Sequence, residues 1–221
     1  MLAQIVLFDG FDPLDAIAPY EVLEAGRMVT EGVLDAELVS AEGIREVPSG
    51  LGSLSLPATA VLDPFRADLI VVPGALGRLP GQNDEADDAI PAILARTLET
   101  ALPGLLKDAL GRPSLTVATV CGGSLVLALA GLIEGRPATT HHMGLDLLEA
   151  TGSIPIDARV VDDGDLVTSA AVTSGLDLGL YLLEREIGPR VALAVEHLIA
   201  YERRGTVWRA AGPVPTGGAR R

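Results

Sequence analysis

The residue with the clearest chemical potential is Cys121, the only cysteine of the 221-residue chain. It lies inside an uncharged stretch of nineteen residues, Leu115 to Ile133, and Gly122 and Gly123 follow it directly. The residues before it, "LTVATV", are typical of a buried strand, and "GSLVLALAG" after it favours a helix. Cys121 is therefore predicted to occupy the tight turn between a strand and a helix.

This position has consequences for the reactivity of the thiol. The reactive form of cysteine is the thiolate, and a helix N-terminus stabilises it through the macrodipole and free N–H groups. Two adjacent glycines allow strained backbone angles and close approach of a substrate, and the N–H of Gly122 can face a developing negative charge. The alternative is an inert core cysteine beside glycines that only permit tight packing, and the local sequence does not decide between the two.

A membrane span is a further alternative for the uncharged stretch, because a spanning helix needs roughly 20 apolar residues. The composition opposes it: "LTVATV" is a poor helix former, and Gly122-Gly123 interrupts the middle of the segment. We therefore expect two buried elements that meet at Cys121, and no span.

Other candidate groups are carboxylates and histidines. Asp9, Asp12 and Asp15 follow the first predicted strand, and each of them suits the start of the next helix. The residues alone do not single out one of the three. His141 stands twenty residues after Cys121 in "ATTHHMG". With three histidines, one cysteine and no ligand spacing, no metal site is predicted, and the lack of a glycine-rich nucleotide motif gives no support for nucleotide binding.

The elements that must position these groups alternate between strands and helices. Apolar runs predict strands, helical periodicity predicts helices, and Asp163-Gly164 between two alternating runs predicts a hairpin. The predicted strands cover 3–8, 36–40, 68–73 and 116–120, with a weaker one at 50–57, and the predicted helices cover 14–28, 174–187 and 189–203. Such alternation indicates a mainly parallel sheet with helices on both faces and one antiparallel hairpin, whose reactive site lies at the carboxyl ends of the strands.

We predict a single domain over residues 1–209, followed by a flexible tail at 210–221 that is rich in Pro and Gly. Within the domain, residues 77–110 are acidic at first and then helical, with Pro91 and Pro103 starting or bending helices. We expect this segment to lie on an outer face.

Composition restricts the partners. The formal charge of −14, from 30 acidic and 16 basic residues, disfavours nucleic acid and anionic lipid. A single cysteine makes no internal disulfide, and the first residues lack a basic region and a cleavage site. We therefore expect a cytoplasmic protein with no nucleic-acid and no membrane partner.

Four segments together resemble a known family. They are "IVLFDGFDPLDAIAPYEVLEAG", "LIVVPGALG", "TVATVCGGSLVLALAGLIEGRPATTHHMGLDLLEATG" and "VVDDGDLVTSAAVTSGLDLGLYLLEREIG". In order and spacing they resemble the ThiJ/PfpI superfamily, relatives of the class I glutamine amidotransferases, and in particular its isonitrile hydratase-like branch. The resemblance extends from residue 3 to 203, apart from the acidic stretch, which looks like an insertion.

The resemblance implies a flavodoxin-like three-layer α/β sandwich, a homodimer, and Cys121 as nucleophile at an elbow. It singles out Asp15 as the acid or base beside the thiol, with a raised pKa because a carboxyl and a thiolate repel each other. Backbone N–H groups of Ala75 and Gly122 would form an oxyanion hole, although Ala75 stands where a second glycine is usual. Gly74, Gly123 and His141 would line the site.

The implied reaction is the addition of water to an isonitrile, without a cofactor, to give an N-substituted formamide. Gly122 replaces the threonine that usually follows the cysteine, and the lost hydroxyl would slow that reaction. Two alternatives stay open: a cofactor-free glyoxalase or hydrolase acting on small carbonyl compounds, and a non-catalytic redox or ligand sensor.

Overall fold

The computed structural model describes residues 1–79, 81, 83 and 86–213. Asp84 and Glu85 of the acidic segment and residues 214–221 of the predicted tail lie outside the described residues. The strands are β1 (Leu2–Val6), β2 (Asp35–Ser40), β3 (Arg45–Pro48), β4 (Ser55–Ala58), β5 (Ala60–Val61), β6 (Leu69–Val72), β7 (Thr116–Val120), β8 (Pro137–Ala138), β9 (Ile154–Pro155), β10 (Val160–Asp162), β11 (Leu166–Ser169) and β12 (Trp208–Arg209). The helices are α1 (Pro13–Val29), α2 (Ile90–Thr97), α3 (Leu102–Leu110), α4 (Gly123–Leu129), α5 (Leu145–Ala150), α6 (Ser174–Glu186) and α7 (Pro189–Ile199), with a 3₁₀ turn at His142–Gly144.

Eight strands form the central sheet in the order β12-β10-β11-β7-β6-β1-β2-β5. Every pair in it is parallel except the predicted hairpin of β10 and β11. The middle strands β1, β6 and β7 are buried along almost their whole length, as expected for strands covered on both faces. Since these three neighbours run in the same direction, their carboxyl ends meet at one edge.

The helices that cover the sheet pack in two groups. Helices α1, α6 and α7 contact one another, and α4 contacts α2, α3 and α5. The resulting core is almost wholly aliphatic. The predicted α/β architecture, a mainly parallel sheet between two helical layers, is confirmed.

The uncharged stretch divides as predicted into a strand, β7, and a helix, α4, on either side of Cys121 and Gly122. Both elements are buried in the core. Among the described residues, no helix combines the length and the apolar character needed to cross a bilayer.

Residues 77–110 differ from the expectation of an outer position. Pro91 and Pro103 each stand in the first turn of a helix, α2 and α3, where a missing N–H costs little. Helix α3 packs on β7 and α2 packs on α4, so both belong to the layer that covers the sheet. Their buried apolar faces explain this, since Leu94 and Leu106 are 2% and 0% exposed. Whether the segment is an insertion stays a prediction.

Two other predicted boundaries were wrong. The weak strand at 50–57 is the second half of an antiparallel hairpin, β3 and β4, whose turn takes up residues 49–54. The last helix ends at Ile199 instead of Arg203, because Ala200 adopts left-handed angles (φ 52°) and caps it. The chain then bends back to the body, where the N–H of Arg204 donates to the Asp177 carboxylate at 2.6 Å.

The close packing of α6 on α1 generates a stability prediction. A Cβ added at Gly179 would lie 2.9 Å from Val22 of α1, whereas one at Gly104 of α3 meets nothing within 4 Å. Gly179→Ala should lower the free energy of unfolding by about 1–3 kcal/mol through overpacking. Gly104→Ala, the matched control, should raise it by up to about 1 kcal/mol through helix propensity. Urea denaturation measures both, and a Gly179→Ala protein as stable as the parent would contradict the packing argument.

Candidate active site

The chain segments that follow β1, β6 and β7 meet at the carboxyl edge of the sheet. The N–H of Asp12 donates to the carbonyl of Gly74 at 2.9 Å, and the N–H of Leu76 donates to the carbonyl of Gly10 at 3.0 Å. These bonds tie the loop after β1 to the loop after β6. Cys121 follows β7 directly, so both loops face the thiol.

Cys121 has the strained backbone of an elbow, with φ at 55°. A non-glycine residue pays roughly 1–3 kcal/mol for such angles and needs fixed partners. Its N–H donates to the carbonyls of Ser169 (3.1 Å) and Ala170 (2.9 Å), and its carbonyl accepts from the hydroxyl of Thr140 at 2.9 Å. The side chain is 7% exposed. The strained position of the thiol is thus held from the neighbouring strand β11 and from the segment after β8.

Two glycines allow the loops to approach this closely. A Cβ at Gly74 would lie 2.6 Å from the nitrogen of Gly122, and one at Gly123 would lie 2.1 Å from the carbonyl oxygen of Val72. Both contacts are with backbone, which cannot move aside without distorting the sheet. Gly74 and Gly123 are therefore positions of close backbone packing next to Cys121 and Gly122, and their site-lining role stays a prediction.

The structure separates the three candidate carboxylates. Asp9 is exposed and pairs with Arg45 at 2.7 Å, and Asp12 is the N-cap of α1, accepting from the N–H of Leu14 at 2.9 Å. Asp15 is 0% exposed and accepts from the N–H of Gly74 at 3.0 Å. It points inward because Asp12 starts the helix at Pro13, which places Asp15 on its buried face. Asp15 is thus the carboxyl group at the thiol.

The electrostatics of Asp15 are those of a buried acid. Burial raises the pKa of its carboxyl to about 8, and the negative charge of Asp12 adds to this, while the Gly74 N–H and the Cys121 thiol act in the opposite direction. The second carboxyl oxygen, Oδ1, is buried and has no hydrogen-bond partner among the described residues. At neutral pH the group is therefore mainly a neutral acid that can give or take a proton inside a dry site.

The expectation that the helix end lowers the pKa of the thiol was wrong. Burial, followed by repulsion from Asp15, raises the pKa of Cys121 to about 12, although the N–H groups of Val172 and Gly122 oppose the shift. The two backbone N–H groups do not outweigh the loss of water and the nearby carboxylate. Since Asp15 has the lower pKa of the two, its carboxyl loses its proton before the Cys121 thiol does.

The predicted oxyanion-hole amides lie close together. The nitrogen of Ala75 is 3.9 Å from the position that a Cβ of Gly122 would occupy, and the N–H of Gly122 interacts with the sulfur. The sequence reasoning missed Val172, whose N–H is the other backbone donor to the sulfur. Its place at the carboxyl end of β11, next to β7, was the signal that could have identified it.

A second missed residue is Leu94, from the segment that was expected on an outer face. Its Cδ1 lies 3.7 Å from the position of a Cβ at Gly122. Helix α2 therefore supplies an apolar wall beside the elbow. No polar pattern marked this residue in the sequence, because an ordinary leucine of an amphipathic helix carries no chemical signal.

The contacts of His141 are with its own neighbours in the chain. His141 is half-buried, its Nδ1 accepts from the N–H of Met143 at 3.2 Å, and its ring stacks on His142 at 4.1 Å. Burial and His142 lower the pKa of His141, and the thiol has no part in that shift. A site-lining role for His141 stays a prediction. In the described part of the chain, no group of three or more His, Cys, Asp or Glu side chains is arranged to hold a metal ion.

Comparison with solved structures places this geometry in a known fold. A ThiJ/PfpI family protein from Pseudomonas syringae matches with a TM-score of 0.73 at 24% identity, over 92% of this chain and 76% of the other. The flavodoxin-like α/β fold predicted above is confirmed.

Sequence comparison gives relatives of different kinds. The isonitrile hydratase of Pseudomonas putida is 33% identical over 196 residues, which cover 89% of this chain and 76% of the relative. The HTH-type transcriptional regulator CdhR of Pseudomonas aeruginosa is 27% identical over 193 residues, and this chain spans only 52% of its length. The model of the DJ-1/PfpI family matches residues 1–185. The chain therefore belongs to the DJ-1/PfpI family.

Proposed function

We propose that the protein hydrates an isonitrile to an N-substituted formamide, with Cys121 as nucleophile and Asp15 as proton donor and acceptor. The observation that carries this proposal is the buried Asp15 carboxyl beside the thiol, with its pKa near 8 and its Oδ1 unpartnered. The similarity to the isonitrile hydratase of Pseudomonas putida supports the choice of substrate class.

In the first step the Cys121 thiolate attacks the terminal carbon of the isonitrile, and the proton held by Asp15 passes to that carbon. The product is a thioimidate in which the sulfur is bonded to a CH group that is doubly bonded to nitrogen. This step needs one thiolate and one neutral carboxyl. After the pair loses a single proton, the remaining proton lies mainly on the thiol, so it has to pass from the Cys121 thiol to the Asp15 carboxylate before the sulfur attacks.

In the second step a water molecule adds to the same carbon. The Asp15 carboxylate takes a proton from the water, the nitrogen becomes N–H, and the carbon–sulfur bond breaks to release the formamide and the thiolate. The N–H groups of Gly122 and Val172 stabilise the leaving thiolate, because both point at the sulfur. Over the cycle, one water is added to the isonitrile and the enzyme returns to its starting state.

The surroundings of the thiol oppose an oxidation sensor, and the adjacent Asp15 carboxyl, which can accept the proton of the thiol, supports a catalytic role. Sensor cysteines are exposed and have a low pKa, whereas Cys121 is 7% exposed and its pKa is raised. The similarity to CdhR keeps a ligand-sensing role as the second candidate. A small carbonyl substrate is the remaining alternative, and methylglyoxal tests it in the same assay.

A homodimer and a cytoplasmic location stay part of the proposal. Leu14 on the first turn of α1 and Leu51 in the β3–β4 turn are 47% and 56% exposed, and a second subunit could cover such apolar groups. The partner of the site itself is a small molecule, with no cofactor.

The proposed mechanism predicts the effect of replacing Cys121 or Asp15. Purified protein should convert cyclohexyl isocyanide to N-cyclohexylformamide, and both Cys121→Ser and Asp15→Asn should lower kcat by about 10²-fold or more, since each removes a reacting group. Chromatographic quantification of the formamide measures this. Asp9→Asn, a nearby exposed carboxylate, is the matched control and should retain activity. Turnover that survives Cys121→Ser would refute the mechanism.

The second prediction concerns Gly122. An added side chain fits, because its Cβ would lie 3.6 Å from Gly74 Cα and 3.7 Å from Leu94 Cδ1, both ordinary contacts. Gly122→Thr should raise kcat/KM for the isonitrile roughly tenfold, the size of one hydrogen bond made in the transition state. Gly122→Val has the same shape without the hydroxyl and should give no rise. An equal effect of both variants would show that shape alone matters.

The third prediction concerns pH. Below pH 8 both groups of the pair are protonated, so kcat/KM should increase with pH up to about 8, where the Asp15 carboxyl loses its proton and can then accept the proton of the thiol. Alkylation of Cys121 by iodoacetamide, which needs the thiolate, should continue to rise above pH 8, because the pKa of the thiol is about 12. A rate that is constant from pH 5 to pH 8 would mean that the thiol is already ionised, contrary to the burial argument.

A further inference from the structure

The loop from Ala170 to Thr173, between β11 and α6, touches Cys121 twice. The carbonyl of Ala170 accepts the N–H of Cys121 at 2.9 Å, and the N–H of Val172 faces the sulfur. One contact supports the left-handed backbone of the nucleophile, and the other donates to its reacting atom. The placement of this loop therefore affects both the direction and the charge of the thiol.

Arg159 holds this loop at both ends. Its backbone carbonyl accepts the N–H of Ala170 at 3.0 Å, and its Nη2 donates to the hydroxyl of Thr173 at 3.1 Å. The residues between these two bonds include Val172. The carbonyls of Ala171 and Val172 also accept from the N–H groups of Ser174 (2.8 Å) and Gly175 (3.2 Å) at the start of α6. The arginine adds a side-chain restraint at Thr173, which is itself exposed.

Asp177 of α6 fixes the arginine in turn. Its Oδ2 accepts from the Nε of Arg159 at 2.5 Å, and the pair is largely out of water, with side chains 24% and 2% exposed. The same carboxylate accepts from the hydroxyl of Tyr201 at 3.1 Å and from the N–H of Arg204 at 2.6 Å. A carboxylate with this many donors is a rigid anchor, so the guanidinium has one orientation.

We propose that the Arg159–Asp177 pair is a positioning device for the nucleophile, which holds residues 170–173 against Cys121 so that the Ala170 carbonyl and the Val172 N–H stay directed at it. The proposal rests on the proposed function only in taking Cys121 as the nucleophile. Neither side chain touches the sulfur, so both act through the loop.

The Arg159–Asp177 pair is predicted to affect the pKa of the Cys121 thiol as well as the position of the loop. The charged groups that face the thiol are the carboxylates of Asp15 and Asp12, and both disfavour the thiolate. The amides of Val172 and Gly122 oppose them. Releasing the loop removes one of these two backbone donors, and the loss of a donor to the charged form raises the pKa of the thiol.

The test measures the pH dependence of Cys121 alkylation by iodoacetamide in the full chain, with mass spectrometry and no isonitrile present. Arg159→Ala should shift the alkylation curve upward by roughly one pH unit, which is about a tenfold slower reaction below the midpoint. Thr173→Val, which removes only the acceptor hydroxyl, should shift it in the same direction by less. Arg159→Lys keeps the charge at Asp177 and should recover part of the parent rate.

Arg136→Ala is the matched control. Arg136 is also 24% exposed and joins two carboxylates, Asp163 at 2.6 Å and Asp165 at 2.5 Å, but at the hairpin turn, the opposite end of β11 from the thiol. The Arg136→Ala variant should unfold at a lower urea concentration, and its alkylation curve should match that of the parent.

Two results would overturn the positioning role: folded Arg159→Ala and Thr173→Val proteins that alkylate like the parent, or an equal shift in Arg136→Ala. If Arg159→Ala does not fold, as judged by circular dichroism, Thr173→Val decides alone. Because the reagent reports on the thiol itself, a parent protein that hydrates no isonitrile leaves this test intact. An unshifted curve refutes the positioning role even if isonitrile is hydrated.

Discussion

The contact between the Asp15 carboxyl and the Cys121 thiol is the interaction on which the rest of the site depends. Both groups are acids and both are buried. The Asp15 carboxylate makes ionisation of the thiol harder, whereas the thiol donates to the carboxyl and makes its ionisation easier. Two such groups in a dry site are costly to stability, and folded proteins keep costly arrangements mainly where they serve chemistry. The rest of the carboxyl edge consists of backbone held in place to supply donors to this pair.

The sheet order explains how the pair is assembled. Strands β1, β6 and β7 are neighbours and parallel, so the helix that begins after β1, the loop after β6 and the elbow after β7 converge without long connections. Gly74 N–H binds the carboxyl, and Gly122 N–H faces the sulfur. The loop after β11 is the fourth segment at the site, and the N–H of its Val172 faces the sulfur. The chemistry is therefore distributed over four loops, and no single segment contains it.

Much of the fold followed from local patterns, for physical reasons that are plain in particular elements. The buried strands β1, β6 and β7 are β-branched or aliphatic runs, the hairpin has Asp163-Gly164 at its turn, and α1 starts at a capping aspartate. The errors occurred where long-range contacts overrule the local pattern. Helix α7 stops at Ile199 because the chain returns to Asp177, and the short pairs β8–β9 and β10–β12 exist only through partners distant in sequence.

By itself, the sequence determined that a cysteine stands between a strand and a helix, that glycines surround it, and that an acidic residue starts the first helix. Its resemblance to a family selected Asp15 from three candidates. Only the tertiary structure decided the charge state of the pair, because the desolvation of a thiol and a carboxyl depends on everything packed around them. It alone also brought Leu94, Val172 and the Arg159–Asp177 pair to the site, since these side chains and amides look ordinary until the chain folds and places them beside the sulfur.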